Sequence, residues 1–522
     1  MSNATKFYVT TPIYYVNDRP HIGHVYTTTV ADVVARYHRL RGDDVFFLTG
    51  VDEHAAKVAD AAAERGLSPQ QWADQNAAVF EQTFARLQIS NDDFIRTSQD
   101  RHKQRVTRYV KQLLDSGDVY TGEYEGWYDA GQEEYVPENK AKEYDYKSPI
   151  SGNPLVRKKE QNYFFRLSKY EQAVRDHIEK NPGFVQPEAR RNEVLGRIRE
   201  GLNDVAISRT GTGGWGIAMP NDAAQTIYVW IDALFNYLTT IDTDDRTGYW
   251  PADVHLIGKE ILWFHAVIWP AMLMSMGKPL YHKLYAHSFW ISEGQKMSKS
   301  LGNFIDLEKI DSYVSEFGLD ALRYYLATQG PLGATDSNFA HAKFIDVYNS
   351  DLANTLGNCL NRITNMTNRY FDGKLPEHGP HVQVSDEYLD TAQKCVASFT
   401  KSMQDLQLAD AAAAALDLVR AIDAYIEQTQ PFKLAKDDSK RGEVGTILYN
   451  CAEAMRIASL ALWPIIPGKV EELWRRIGCS HYAEALANNG TGKLDEWCQW
   501  GQLQPGTPIL QGEPLFPRYE VK

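Results

Sequence analysis

Apolar residues near the start of the chain change from strand-like to helix-like spacing and back. Residues 7–11 predict a strand, and apolar positions between residues 23 and 41 recur at helical spacing until Gly42. Residues 45–49 form a continuous apolar run, which is typical of a strand buried on both faces of a parallel sheet. Two such strands joined by a helix form the βαβ unit of a doubly wound fold.

The α/β pattern is then interrupted and later returns. Residues 117–214 are rich in Tyr, Gly, Pro and charged side chains and contain turn signals such as 151–154, so we interpret them as an insertion. Strand-like segments follow at 226–230, 255–257 and 283–286, with helix-like stretches between them. The sequence therefore predicts an α/β fold with a doubly wound parallel, Rossmann-like sheet split by an insertion.

Beyond about residue 340 only helical periodicity remains. It covers residues 349–369, 409–427 and 447–462, and the tail from residue 488 is rich in Gly, Pro and Gln. We predict an α-helical bundle domain followed by an irregular strap. The expected units are the first half of the α/β domain (1–116), the insertion (117–214), the second half (215–290), a connecting region (291–340) and the helical domain with its strap (341–522).

Composition and charge narrow the class of protein. The 522 residues are 43% hydrophobic and 24% charged, which excludes disordered and collagen-like chains. The net charge of −13 argues against a protein that coats nucleic acid through bulk electrostatics. The five cysteines lack Cys-x-x-Cys spacing, so neither a disulfide framework nor a four-cysteine zinc site is predicted. Because no membrane-length apolar run and no signal peptide are evident, we expect a cytoplasmic protein.

Two histidines lie where the first predicted strand passes into its helix. His21 and His24 flank Ile22 and Gly23 at a helix N-terminus, where backbone N–H groups and the helix dipole favour a phosphate. Gly23 would let a nucleotide approach the backbone. Taken alone, however, a pair of histidines at this spacing often arises by chance and favours an ordinary turn.

Two lysines lie far downstream in a loop bracketed by glycines. Lys296 and Lys299 stand three positions apart within residues 294–302, GQKMSKSLG. Ammonium groups in a movable loop suit a triphosphate, because they stabilise the charge that develops on a leaving pyrophosphate. The alternative for this segment alone is a solvated lysine loop. Both motifs together, in a split α/β sheet, favour nucleotide chemistry.

With these two motifs the chain resembles the class I aminoacyl-tRNA synthetases, and four further segments are similar to the methionyl-tRNA synthetase family. The segments are PIYYVN (12–17), TGVDEH (49–54), YVWIDA (228–233) and HLIGKEI (255–261). The resemblance covers nearly the whole chain. It implies activation of L-methionine by ATP with Mg²⁺, giving methionyl-adenylate, and transfer of the methionyl group to the terminal adenosine of tRNA(Met). Residues 291–340 would then hold the lysine loop and contact the tRNA stem.

The resemblance also implies roles for individual residues. The expected ATP contacts are His21, Gly23, His24, Gly258, Lys296, Ser298 and Lys299, among which the histidines and lysines would be catalytic. The expected methionine pocket is Ile13, Tyr15, Asp52, Trp230, Ala233, Leu234, Tyr237, Ile261 and His265. Asp52 ends a strand at the carboxyl edge of the sheet, where a carboxylate can hold the α-ammonium group, and aromatic edges favour a thioether sulfur. Without the resemblance, Asp52 could equally cap the next helix, and Trp230, Tyr237 and His265 could be core side chains.

In the helical domain the resemblance implies recognition of an anticodon. Asn358 and Arg362 lie four residues apart on one helix face, and Pro431 and Phe432 follow another helix. Phe432 stands where the family has Trp, which keeps a stacking face but removes the indole N–H donor. Without the resemblance, a surface Asn/Arg pair and a helix-ending Pro-Phe would be the favoured interpretation.

The insertion departs from those family members that carry a zinc knuckle. The positions matching the metal ligands are Asp129, Gln132, Ser148 and Ser151, and without thiolates or imidazoles we expect no zinc and regard Asp129 as a surface carboxylate. The insertion is also too short for the editing domain of the related Ile, Val and Leu enzymes. Another class I synthetase, a small-molecule nucleotidyltransferase of the same superfamily and a non-catalytic tRNA-binding paralogue remain as alternatives. We expect a monomer.

Overall fold

A computed structural model describes residues 4–131, 134–136, 138–210, 214–297, 302–379 and 385–520. The strands are β1 (Lys6–Tyr15), β2 (Asp44–Asp52), β3 (Asp93–Arg96), β4 (Val119–Asp129), β5 (Glu134–Val136), β6 (Val156–Phe165), β7 (Val185–Gln186), β8 (Val205–Ala206), β9 (Ser208–Thr210), β10 (Ala218–Met219), β11 (Asp222–Ile227), β12 (Val254–Gly258), β13 (Lys283–His287), β14 (Trp290–Ser292), β15 (Gln295–Lys296) and β16 (Ser337–Phe339).

Helices connect most of these strands. In the C-terminal third of the chain, the described residues form helices joined by irregular segments. The α-helices are α1 (Ile22–Arg41), α2 (Ala56–Ala63), α3 (Pro69–Arg86), α4 (Asp100–Asp115), α5 (Glu138–Glu143), α6 (Glu171–Lys180), α7 (Glu188–Ile198), α8 (Val229–Leu234), α9 (Asn236–Thr239), α10 (Trp269–Ser275), α11 (Leu307–Phe317), α12 (Leu319–Gln329), α13 (His341–Val347), α14 (Asn358–Phe371), α15 (Ser385–Gln404), α16 (Leu408–Thr429), α17 (Pro431–Leu434), α18 (Arg441–Leu462), α19 (Pro467–Ile477), α20 (Ser480–Leu486) and α21 (Leu494–Trp497). Phe264–Ile268 and Tyr348–Gly357 are π-helical.

A parallel sheet forms the centre of the α/β part of the molecule. Its strand order within the described residues is β3-β2-β1-β12-β13-β7, and every neighbouring pair is parallel. After β3 the chain enters the insertion, whose short strand β7 joins the sheet beside β13, and after the insertion it returns beside β1 as β12. The predicted doubly wound α/β sheet split by an insertion is therefore confirmed.

The helix α1 packs its apolar residues against one face of this sheet. Val30, Val33 and Val34 are buried in a core that also contains residues of β1, β2 and α12. Gly42 ends α1 with φ of +101°, a conformation that side chains other than glycine rarely adopt, so the predicted helix end is confirmed.

Residues 226–230 do not form a strand of the central sheet, and that prediction was wrong. β11 ends at Ile227 and pairs antiparallel with β9 and β10, while α8 begins at Val229. A short apolar run is compatible with a buried strand or a buried helical turn, because its hydrophobicity has no period that separates the two. Trp230 therefore projects from a short helix.

The insertion has a sheet of its own, which its turn-rich composition concealed. β4, β5, β6 and β8 form an antiparallel sheet in the order β5-β4-β6-β8. The two-residue strand β7 instead pairs with β13 and extends the central sheet. The insertion is thus joined to the α/β domain by backbone hydrogen bonds as well as by the chain.

The C-terminal third is helical, as predicted, and no strand follows β16 in the part of the chain that the structure describes. The predicted helix over 349–369 is divided, because residues 349–357 belong to the π-helical segment Tyr348–Gly357 and α14 begins only at Asn358. The tail after α21 runs without regular secondary structure. Among the described helices none combines the length and hydropathy that would be needed to cross a bilayer.

Candidate active site

His21 and His24 form the N-terminal cap of α1. His21 is the N-cap residue, and its Nδ1 accepts a hydrogen bond from the Gly23 N–H at 3.0 Å. The Nδ1 of His24 accepts from the His21 N–H at 3.2 Å, and the two rings stack with centroids 3.9 Å apart. The two imidazoles therefore occupy positions that Ser and Glu take in an ordinary capping box.

This cap determines which ring nitrogen carries the proton. Because Nδ1 of each ring accepts from a backbone N–H, the proton of the neutral imidazole lies on Nε2. Burial, followed by the charge of His21, holds the pKa of His24 well below its usual value. In the neutral form each ring therefore presents an Nε2–H group that can donate to a phosphate oxygen.

Gly23 is required by the close approach of the His21 ring. A Cβ at position 23 would lie 2.9 Å from Cε1 and 3.2 Å from Nδ1 of His21. Any larger residue would push the imidazole out of its capping position.

The lysine segment reaches this turn through the residues that follow it. Lys296 lies on the exposed strand β15, which pairs with β14, so it sits on a short hairpin and not in an irregular loop. Ser298 and Lys299 lie outside the described residues. After them, the Ile305 carbonyl accepts a hydrogen bond from the Ile22 N–H at 3.0 Å, and the Phe304 ring packs edge-on against His21 at 5.2 Å. The end of the lysine segment and the histidine turn are therefore in contact.

Asp52 is the last residue of β2 and is buried at the carboxyl edge of the sheet. It lies beside Tyr15 in the parallel register of β1 and β2. It does not cap the following helix, because the N-cap of α2 is Ala55, which has no side-chain cap. The capping alternative is thereby excluded, and the carboxylate lies at an edge where doubly wound sheets bind ligands.

Aromatic side chains from three elements meet next to Asp52. The Tyr15 ring packs edge-on against Trp230 at 5.6 Å, and Trp230 stacks on Phe264 at 4.5 Å. Leu234, Tyr237 and Ile261 belong to the buried cluster at whose border Ile13, Tyr15 and Trp230 pack, and Ala233 and His265 are buried as well. The fold therefore gathers the residues of the predicted pocket into one region.

Tyr237 and His265 form a buried polar pair in this region. His265 Nδ1–H donates to the Ile261 carbonyl at 3.0 Å, so its Nε2 accepts from the Tyr237 hydroxyl at 2.8 Å. Burial lowers the pKa of His265 to about 4, and burial raises the pKa of Tyr237. Both groups are neutral at physiological pH and fixed in orientation, as a pocket for an uncharged side chain requires.

Gly258 lies at the same edge of the sheet. It is the last residue of β12 and is paired with His287, the last residue of β13. His287 Nε2 lies 2.7 Å from Thr27 Oγ1 in the second turn of α1. The ends of β12 and β13 thus lie beside the start of α1.

Several residues of this region carry polar contacts that the sequence analysis did not identify. His54 and His102 both bind the buried Asp232, and His287 contacts α1. For Asp232, the sequence feature that indicates a buried polar contact is a charged residue inside an otherwise apolar run, VWIDAL.

The positions that match zinc ligands form a hydrogen-bonded turn. Asp129 is buried, and its Oδ1 accepts from the Gly131 N–H at 2.8 Å, so the prediction of a surface carboxylate was wrong. Ser148 Oγ accepts from the N–H of Ser151 at 3.1 Å. Backbone N–H groups thus bind side-chain oxygens where thiolates would bind metal. Gln132 lies outside the described residues, among which no group of three His, Cys, Asp or Glu residues is arranged to hold a metal ion.

The predicted anticodon residues lie in the helical domain, on α14 and α17. Asn358 is exposed, and Arg362 forms ion pairs with Asp423 at 2.7 Å and Glu427 at 2.5 Å, both on α16.

Phe432 follows the end of α16 directly. Gln430 ends α16 in the left-handed conformation with φ of +47°, Pro431 is buried, and the ring of Phe432 is 37% exposed. A guanidinium held by α16 and an exposed aromatic ring thus lie at the same end of one helix.

Two known families match the chain. The family described as tRNA synthetases class I (M) matches residues 7–144 and 140–364. The family described as the anticodon-binding domain of tRNA ligase matches residues 386–499.

Curated relatives match over nearly the whole chain. A methionine–tRNA ligase of Caldanaerobacter subterraneus subsp. tengcongensis is 42% identical over 523 residues, which cover 99% of this chain and 79% of the relative. One of Streptomyces coelicolor is 42% identical over 533 residues, which cover 99% of this chain and 98% of the relative.

Solved structures agree in fold. The Mycobacterium tuberculosis methionyl-tRNA synthetase in complex with methionyl-adenylate superimposes with a TM-score of 0.89 at 35% identity, covering 98% of this chain and 100% of that one. Its apo form gives a TM-score of 0.84 at 31% identity, covering 99% of each chain.

Proposed function

The chain belongs to the methionyl-tRNA synthetase family, and we propose that it joins L-methionine to tRNA(Met) through the residues at the carboxyl edge of its parallel sheet. The observation that carries the proposal is the contact between the histidine turn and the end of the lysine segment, made by the Ile22 N–H and the Ile305 carbonyl. This contact supports the assignment of both motifs to one nucleotide, next to the proposed methionine pocket around Asp52.

The first step forms methionyl-adenylate. The carboxylate of methionine attacks the α-phosphorus of ATP, an oxygen–phosphorus bond forms, and pyrophosphate leaves with the electrons of the broken bond. No nucleophile from the protein is required. Catalysis comes from holding the two substrates in line and from stabilising the charge on the leaving group.

We assign the phosphates to the histidine turn and the lysine segment. The Nε2–H groups of His21 and His24 would donate to phosphate oxygens, and Lys296 and Lys299 would neutralise the charge that moves onto pyrophosphate. Gly23 and Gly258 would let the nucleotide lie close to the backbone, and Ser298 would add a hydroxyl donor.

Methionine would lie between Asp52 and the aromatic residues. The carboxylate of Asp52 would bind the α-ammonium group, and Tyr15 and Trp230 would present ring surfaces to the thioether. The neutral Tyr237–His265 pair would close the pocket without offering an unpaired charge, so a charged amino acid would lose its hydration without compensation. The other wall residues are Ile13, Ala233, Leu234 and Ile261.

In the second step a ribose hydroxyl of the terminal adenosine of the tRNA attacks the carbonyl carbon of the adenylate, and AMP leaves. Asn358, Arg362, Pro431 and Phe432 would meet the anticodon at a distance from this chemistry, with Phe432 as a stacking surface. Arg362 would have to exchange its ion pairs on α16 for contacts with the tRNA.

Magnesium would arrive with the triphosphate. Phosphate oxygens and water would supply most of its ligands, and we assign it no protein ligands and no step. We further propose that the protein acts in the cytoplasm and is a monomer. Sedimentation of the purified protein measures the oligomeric state directly.

The test is ATP–pyrophosphate exchange across a panel of amino acids, followed by charging of tRNA(Met). We expect exchange to depend on methionine and charging to occur with tRNA(Met). Exchange with another amino acid in preference to methionine, or release of a free adenylylated product without tRNA, would contradict the proposal.

A further inference from the structure

Asp232 is a carboxylate within the core of the α/β domain. It lies in α8 between Trp230 and Ala233 and is fully buried. Its Oδ2 accepts a hydrogen bond from Nδ1 of His54 at 2.6 Å, and its Oδ1 accepts from Nε2 of His102 at 2.8 Å. Both oxygens of the carboxylate are therefore engaged.

These bonds join the two halves of the split domain. His54 follows Asp52 by two residues at the end of β2, and His102 lies in α4, so both precede the insertion. Asp232 follows it. The Asp232 carboxylate thus connects two segments. One contains Asp52, which we propose binds the ammonium group of methionine, and the other is α8, whose Trp230 we propose contacts the methionine side chain.

The negative charge of Asp232 strengthens its hydrogen bonds to His54 and His102. Burial by itself would raise the pKa of Asp232, but the adjacent His54 and His102 hold that pKa at about 2, so the carboxylate is ionised. A buried charge that loses a partner is strongly destabilised, so the carboxylate keeps both imidazoles at hydrogen-bond distance. His102 Nδ1 also lies 2.8 Å from Thr239 Oγ1, which fixes the far side of this ring.

The segment after Asp52 is held by further contacts. The His54 ring packs edge-on against Trp215 at 5.4 Å, and Trp215 Nε1–H donates to the Glu53 carbonyl at 2.6 Å. The Glu53 carboxylate pairs with Arg96 at 2.8 Å. These contacts anchor residues 53 and 54 to β3 and to Trp215, so Asp232 connects α8 to a segment that is itself held in place.

We propose that Asp232 is a positioning residue that sets the distance between the ammonium-binding Asp52 and the aromatic wall at Trp230, and thereby the length of side chain that the pocket accepts. It touches neither substrate. The inference rests on the proposed function, because it takes the roles of Asp52 and Trp230 from there.

The experiment compares Asp232→Asn with the unaltered protein in ATP–pyrophosphate exchange. The substrates are methionine, the shorter thioether S-methylcysteine and the longer thioether ethionine. An amide keeps one acceptor but turns an N–H toward one imidazole, so one bridge is lost. We expect the KM for methionine to rise about tenfold, as for the loss of one charge-assisted hydrogen bond, while the KM for ATP stays near its original value. Selectivity against both other thioethers should fall, because a pocket of fixed length is what discriminates one methylene.

Two further variants separate positioning from general stability. His54→Ala removes the bridge on the Asp52 side and should reproduce the loss of selectivity, whereas His102→Ala removes the bridge to α4 and should affect selectivity less. Glu453→Gln is the matched control, since Glu453 is a fully buried carboxylate in the helical domain whose partner is Arg456 at 2.6 Å.

The outcomes are distinct. If Asp232→Asn and His54→Ala lower Tm like Glu453→Gln but leave the methionine KM and the selectivity unchanged, Asp232 is structural only and the inference is wrong. If Asp232→Asn does not fold, the comparison of His54→Ala with His102→Ala decides in the same way. Failure of the proposed function would appear separately, as exchange by the unaltered protein that does not depend on methionine.

Discussion

At the scale of single residues, the imidazole of His21 determines what position 23 can be. The ring covers the backbone there, and an added Cβ would lie 2.9 Å from its Cε1. We therefore expect Gly23→Ala to displace the ring, remove one cap and lower the rate of pyrophosphate exchange about tenfold or more through misplacement of the phosphates. The measurement is the exchange rate at saturating methionine and ATP.

The control for this substitution is Gly196→Ala. Gly196 lies inside α7, where a Cβ would meet nothing within 4 Å, so alanine should leave exchange unchanged and raise the free energy of unfolding by about 0.5 to 1 kcal/mol. An unchanged exchange rate in Gly23→Ala would show that the turn does not bind the nucleotide.

The proposed role of Asp52 can be tested by removing the charge of its carboxylate. Asp52→Asn removes the charge that we assign to the methionine ammonium group, and the KM for methionine should rise about ten- to a hundredfold with little change in the KM for ATP. Asp129→Asn alters another buried carboxylate, in the insertion, and should leave both constants unchanged. Equal changes in both KM values would indicate a general distortion of the site.

Some of these residues could be identified from sequence and others could not. His21, Gly23 and His24 are adjacent in the chain and follow a recognisable strand, so their grouping needed only local structure. The contact of His54 with Asp232 spans 178 positions and depends on the strand order, which periodicity does not give. Asp129 was assigned to the surface because a carboxylate is usually exposed, and its backbone partner could not be foreseen.

At the scale of elements, α14 and α17 hold the residues that would meet the anticodon, and α16 pairs with Arg362. Arg362→Ala should leave pyrophosphate exchange intact and lower the efficiency of tRNA charging about ten- to a hundredfold, because the guanidinium that we propose contacts the tRNA is lost while the α/β domain is untouched. The measurement is kcat/KM for tRNA in charging beside the exchange rate.

Arg420→Ala is the matched variant on α16. Arg420 is half exposed and pairs with Asp417 at 2.7 Å, and we give it no role in the anticodon site, so charging should be nearly unchanged. If the two variants lose charging equally, the effect is one of helix surface charge and not of base recognition.

The elements themselves were predictable where their pattern was long or fully buried. β1, β2 and α1 follow from periodicity, and the parallel order follows from their burial and connection. The strand at 226–230 was wrong because a short apolar run suits a helical turn equally well, and the π-helical residues 348–357 carry no hydrophobic signal distinct from that of an α-helix.

At the scale of the whole molecule, buried histidines make stability depend on pH. Burial lowers the pKa of His265 and of His287 to about 4, whereas an unfolded histidine titrates near 6.5. Between these values the unfolded chain binds more protons than the folded one, so stability falls as the pH falls through this window. At pH 5 each of these two histidines should lower the free energy of unfolding by about 2 kcal/mol relative to pH 7.

The measurement is the midpoint of urea unfolding at pH 7 and pH 5. His287→Gln removes one of the two groups and should reduce the loss of stability between these pH values, although the variant is less stable at pH 7. The same pH dependence in the variant and the unaltered protein would place the effect in other groups.

The pairing of β7 with β13 has a consequence for how this protein could be shortened. A minimal catalytic unit made by deleting the insertion would remove β7 and leave β13 as the edge of the sheet, with the backbone groups that now pair with Val185 and Gln186 unsatisfied. Because exposed borders of this kind recruit strands from other chains, such a unit should self-associate. A shortened enzyme would have to retain Val185 and Gln186, or carry a proline or a lysine in β13 at the edge with which they pair.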